Sequence, residues 1–106
     1  MYLFNETIKI NHAVHREWLA WMKVKQIPEM MDTGFFLEYR ISRLLGTDES
    51  DGFTYTVQYL CRDFGAYQDF QAQQAAHFER QLHERYADQY VVFRSVMKVV
   101  EAGGFN

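Results

Sequence analysis

NHAVHREWLAWMKVKQIPEMMDTG, residues 11–34, decides the fold: it holds both tryptophans, the only proline and three of the five methionines. Asn11 is a good N-cap type at the head of a helical pattern. Val14, Trp18, Trp21, Met22 and Lys25 recur at i, i+4, i+7, i+8 and i+11, giving one apolar face that the lysine closes. Pro28 lacks an N–H and disfavours helical geometry at Ile27, so the pattern predicts a break near Gln26–Ile27 and a short second helix from Pro28. Gly34 supplies the left-handed stop.

Outward from this unit the chain alternates. Tyr2, Phe4, Ile8 and Ile10 share one side of a first strand, with Glu6 breaking the set and needing an edge or a partner. Phe35, Leu37, Tyr39 and Ile41 form the face of a second strand over residues 35–45. The acidic loop 46–52 then reads as a hairpin connection. Phe53, Tyr55, Val57, Tyr59 and Cys61 give the cleanest apolar face, and Asp63 can cap a helix carrying Tyr67, Phe70, Ala75, Phe78, Leu82 and Tyr86. A last strand, residues 90–100, is apolar on both faces with Arg94 and Lys98 between.

The order βαββαβ is that of the ferredoxin-like α+β fold: a four-stranded antiparallel sheet with two helices on one face. Residues 1–100 are expected to form a single domain, and residues 101–106 a flexible C-terminal tail. The uncovered sheet face is assigned Asn5, Thr7, Glu38, Arg40, Ser42, Thr54, Thr56, Gln58 and Arg94, interspersed with Leu3, Val92 and Val96. A second copy of the chain is the economical cover for such a mixed face. Glu38, Arg40, Thr54, Thr56 and Arg94 are the expected dimer-interface residues.

Composition excludes several classes. A hydrophobic fraction of 48% rules out disorder, and a net charge of -3 without a basic stripe argues against nucleic acid. The apolar runs are too short to span a bilayer, and no signal-peptide pattern opens the chain. The single Cys61 fits a reducing cytoplasm. No metal site is expected: His12 and His15 stand at i, i+3 without a third ligand and read as surface histidines. Glu79 and His83 read as a solvated helix pair, and no cofactor motif is present.

Trp18-Leu19-Ala20-Trp21-Met22-Lys23, Ile27-Pro28, Thr33-Gly34, Tyr55-Thr56-Val57-Gln58-Tyr59 and Val92-Phe93-Arg94-Ser95 resemble a small bacterial family of unknown function in the dimeric α/β-barrel group. The resemblance spans nearly the full length and implies a homodimer of that barrel type. Relatives commonly carry His-Ile-Pro where this chain has Gln26-Ile27-Pro28, which removes a proton-transfer group at that position.

Two functions follow. One is a cytoplasmic homodimer binding a small molecule at or between its sheets. The other is a cofactor-independent monooxygenase- or isomerase-like enzyme acting on an aromatic or polyketide-like molecule, as the resemblance implies. The ligand-binding candidates are Arg94, Gln58 and Gln26, with Trp21 and Tyr39 as walls. Arg94, set in an apolar strand, needs a carboxylate, and Glu6 and Glu38 are the candidates.

Overall fold

A computed structural model describes residues 1–104. β1 (Tyr2–Asn11) runs into a turn of 3-10 helix, then α1 (His15–Trp21), a π-helical stretch (Met22–Gln26) and α2 (Ile27–Asp32). β2 (Glu38–Arg43), β3 (Gly52–Cys61), α3 (Phe64–Gln73), α4 (Ala75–Tyr86) and β4 (Tyr90–Lys98) complete the chain. The sheet is antiparallel in the order β2-β3-β1-β4.

That order overturns the expectation of a barrel. β2 and β4 are edge strands and do not pair with each other, so the sheet is open. Four strands are also half the number that closes a minimal barrel, about eight. The α+β ferredoxin-like arrangement itself holds. The expected count of two helices does not.

The break expected before Pro28 is absent. The chain stays helical across residues 15–32, because the π-turn widens the spiral where the proline has no N–H to give. Thr33 and Gly34 end it, with Gly34 at φ 81° and its N–H bonded to Met31 O at 3.2 Å. The second expected helix is instead broken at Gln74, whose φ of -126° lies outside the helical range. The break has a packing reason. Phe70 and Phe78 lie eight residues apart, about 12 Å along a straight helix, yet their rings stack at 6.1 Å. Asp63 caps α3 as expected, accepting from Ala66 N–H at 2.8 Å.

One layer of core lies between the sheet and these helices. Phe4, Ile8 and Ile10 from β1 and Tyr55, Val57, Tyr59 and Cys61 from β3 meet Trp18, Trp21, Met22, Ile27, Met30, Phe70, Phe78, Leu82 and Tyr86. Cys61 is buried, and burial pushes its thiol up to about 11, which leaves it inert. β2 starts later than expected. Phe36 turns into the core and meets Tyr59 with its ring tilted at 5.0 Å, leaving Leu37 exposed.

The open face differs from its expected composition along β4. Register pairs Glu6 with Arg94, Ile8 with Val92 and Phe4 with Val96, so Arg94, Val92 and Val96 face the helices. Val91, Phe93, Ser95 and Met97 take the open face, opposite Lys9, Thr7, Asn5 and Leu3. Arg94 is therefore not a residue of the uncovered face. Glu38, Arg40, Thr54 and Thr56 are on that face as expected. Beyond β4, residues 99–104 form neither helix nor strand; of the expected tail, residues 105–106 lie outside the described residues. Among the described residues, no helix is long and apolar enough to cross a membrane.

Candidate active site

Glu6 stands mid-strand on the helix-covered face of β1, between Phe4 and Ile8. Its cross-strand neighbour on β4 is Arg94, whose Nε donates to Glu6 Oε2 at 2.9 Å. Arg94 Nη1 also lies 3.6 Å from Glu79 Oε1 on α4. The two inner groups are well covered, with side chains 14% and 27% exposed, whereas the Glu79 side chain is 48% exposed. Burial raises the Glu6 carboxyl above the usual range. Arg94 draws it back down, and Glu79 adds a smaller upward push.

These three charges stand between two spaces. On the inner side is a crevice of about 10 Å³, walled by Phe4, Met30, Phe70, Ala75 and Phe78. On the outer side a groove of about 360 Å³ is lined by Ala76, Glu79, Arg80, His83, Tyr90 and Arg94. Glu79 and Arg94 line both, so they form the wall that the two spaces share. The break at Gln74 places Ala75 and Phe78 at this crevice. His83 Nδ1 and the Tyr90 hydroxyl are 3.2 Å apart at the outer rim, and burial raises the Tyr90 hydroxyl.

A carboxylate in an apolar crevice, touching one guanidinium, can take a proton from a weak acid and leave the anion beside a fixed cation. That is the chemistry of enolate or phenolate formation.

The other expected ligand residues do not join this cluster. Gln26 is sealed inside the helical layer, donating to Phe78 O at 3.3 Å and accepting from Gln81 Nε2 at 2.6 Å. Trp21 packs edge-on against Tyr86 at 5.5 Å. Tyr39 and Gln58 instead line a separate cavity that opens on the uncovered face, together with Glu38 and Arg40. Sequence reasoning paired Arg94 with Glu6 or Glu38, and Glu6 is the partner found. It missed Glu79, read there as half of a solvated pair with His83. The signal was available only as a need, since Arg94 and Glu6 each lacked a partner on their own strand.

His15 is not the surface histidine expected. It is half-buried, lies edge-on to Phe53 at 4.8 Å and bonds the Tyr55 hydroxyl. Burial, with Arg43 and His12 nearby, lowers its pKa. Among the described residues no three His, Cys, Asp or Glu side chains gather as a metal site would require.

Comparison with known proteins adds a family and a set of fold relatives. The family model described as "Domain of unknown function (DUF4286)" matches residues 1–100. No curated protein matches the sequence. A dimeric ferredoxin-like protein from an uncultured marine organism is similar in structure, with TM-score 0.74 and 14% identity over 96% of this chain and 97% of its own. HapK from Hahella chejuensis gives TM-score 0.70 and 14% identity, covering 100% of this chain and 99% of its own. SnoaB from Streptomyces nogalater, a cofactor-independent oxygenase, gives TM-score 0.60 and 9% identity, with 95% of each chain covered. At such identities what is shared is the fold.

Proposed function

With the chain a member of the DUF4286 family, we propose that it is a cofactor-independent enzyme that forms an enolate or phenolate from an aromatic or polyketide-like small molecule. The observation that carries this is Glu6: a covered carboxyl with a raised pKa, held 2.9 Å from Arg94 Nε in the lining of a narrow aromatic-walled crevice. Likeness of fold to a cofactor-independent oxygenase supports it.

In the proposed reaction the substrate enters by the outer groove, its ring against Tyr90 and the stem of Arg94, and displacement of the half-exposed Glu79 side chain brings its acidic carbon to Glu6. Glu6 accepts a proton from a carbon next to a carbonyl, or from a phenol. The electron pair left behind moves onto oxygen, where Arg94 holds it. Return of the same proton to a different carbon completes an isomerisation with nothing gained or lost. If dioxygen meets the carbanion first, a CH₂ group becomes a carbonyl, and the second oxygen atom leaves as water with the two hydrogens. Both outcomes share the Glu6 step, so that step is the one to test. The probe is 2-tetralone, a ketone whose acidic CH₂ lies between the carbonyl and an aromatic ring, in D₂O, with α-proton exchange followed by NMR. Wild type should exchange it faster than buffer, and Glu6→Gln should return the rate to the buffer value. Equal rates for the two proteins would remove the proposal.

We further propose that a second copy covers part of the open face. Val91 is 72% exposed and Phe93 69%, and both project from the same side of β4 beside Thr7 and Lys9. Thr54 and Thr56 continue that half of the face onto β3. Fold relatives described as dimeric support the reading.

A further inference from the structure

The cavity on the open face, independent of the Glu6 site, has its own chemistry. It holds about 390 Å³, within the size range of small-molecule pockets. Leu3 and Leu60, directly opposite each other on β1 and β3, form its floor. The segment after β4 forms one wall, tied down by Val99 N–H donating to Met1 O at 2.9 Å, and brings Glu101 to the rim. Glu38 stands opposite Leu60, and Arg40 stands opposite Gln58 one row further along.

The polar groups here are unspent. Among the described residues, Glu38, Arg40, Gln58 and Glu101 enter no ion pair and no side-chain hydrogen bond. The side chains at the rim therefore offer one guanidinium, two carboxylates, one amide and the Tyr39 hydroxyl around an apolar floor. A simple carboxylic acid would satisfy Arg40 but face two carboxylates. A simple amine would satisfy those and leave Arg40 without a counter-charge. A zwitterion with an apolar body meets all of them. Glu38 and Arg40 lie two residues apart on one strand face, about 6.6 Å along the strand, a gap that the head group of an α-amino acid bridges.

We propose that this cavity binds a free apolar α-amino acid. Its carboxylate meets Arg40 and Gln58, its ammonium meets Glu38 and Glu101, and its side chain lies on Leu3 and Leu60. The test titrates the full chain, ¹⁵N-labelled, with L-phenylalanine, 3-phenylpropionate and phenethylamine. L-Phenylalanine should shift the Arg40, Gln58 and Leu60 amides saturably, and each one-headed analogue should bind at least about tenfold more weakly, ~1.4 kcal/mol. Arg40→Gln and Glu38→Gln, both at exposed positions, should each weaken L-phenylalanine by a similar factor with unchanged melting temperature. Glu6→Gln, on the other side of the sheet, should bind as wild type does. Absence of saturable shifts at millimolar L-phenylalanine overturns the proposal. Equal affinity for the analogues, or binding indifferent to both substitutions, overturns it as well.

Discussion

Arg94→Met should destabilise the protein strongly at pH 7 and much less at pH 5, because the cost is that of an uncompensated Glu6 carboxylate. Breaking a fully buried pair by removing one member costs roughly 3–5 kcal/mol. Here the carboxyl has an escape, since it can bind a proton. Neutralising a carboxyl whose unfolded value is 4.5 costs about 1.36 kcal/mol per pH unit above that value, so roughly 3.4 kcal/mol at pH 7 and ~0.7 at pH 5. These are ceilings on the carboxylate's share of the loss. The sign follows from linkage. Glu6 is raised in the folded state, so the folded protein holds this proton more tightly than the unfolded chain. That contribution is complete below 4.5 and is lost as pH rises through the folded value. Removing Arg94 takes away the main downward influence and extends the window of loss to higher pH. Urea unfolding at pH 5 and pH 7 reads the difference, with the midpoint moving at constant slope. Glu6→Gln in the same background should restore most of the pH 7 loss. An Arg94→Met deficit equal at the two pH values, or a double variant as unstable as the sum of the singles, would refute the reasoning.

Trp18→Ala should cost about 3–5 kcal/mol, since the side chain is fully buried; Trp18→Phe should cost clearly less, because the indole N–H it removes has no protein partner among the described residues. Thermal or urea unfolding separates the two, and equal losses would contradict the packing account. Phe93→Asp should reduce self-association in sedimentation velocity, and a wild-type protein that stays monomeric at micromolar concentration would end the second-copy proposal. Gln26→His should be close to neutral, as a neutral imidazole can donate to Phe78 O and accept from Gln81 Nε2 as the amide does. Gln26→Leu should cost ~1–3 kcal/mol through the buried partners it strands. Urea midpoints check both, and a larger loss for the histidine variant would show that the pocket does not admit the ring.

The parts of the fold that the sequence made legible are those where one face is dry and the other wet. β3 alternates cleanly, and β1 does so apart from Glu6, because residues such as Ile8 and Val57 meet the helices while Thr7 and Thr56 do not. β4 defeats that logic. Val91, Val92, Phe93, Val96 and Met97 are apolar on both sides, so alternation says nothing about which side is which. Only the pairing of Arg94 with Glu6 sets it. The two helical misreadings have opposite causes. Pro28 is a strong local signal that the π-turn absorbs, and Gln74 carries no signal because the break comes from distant rings. Half of the candidate site was visible as an unpartnered arginine and an unpartnered glutamate. Glu79 and Phe78 were not, since they reach the site only through that break. The open-face cavity was likewise hidden, as Glu101 and Val99 join it only when the chain folds back over Met1.

The charged pair at Glu6 is poorly explained by stability. Replacing both members of a buried pair with apolar residues of similar volume is often neutral or stabilising, by roughly 1–4 kcal/mol. The surroundings here favour that exchange, because Phe4, Met30, Phe70 and Phe78 would pack directly on an aliphatic pair. Glu79 would lose little, being half exposed to water. The raised carboxyl points the same way: the fold disfavours the charge more than Arg94 repays it. A sequence selected for stability alone has no reason to place these two residues on the covered face. Glu6→Leu with Arg94→Met should therefore give a protein at least as stable as wild type, with a flatter dependence of stability on pH between 5 and 7. The same protein should exchange 2-tetralone no faster than buffer. Stability gained with exchange lost is the trade that a working acid–base pair imposes. A double variant less stable than wild type by more than about 1 kcal/mol would show instead that the pair is held for packing or register, and the case for Glu6 as a base would then rest on the exchange rate alone.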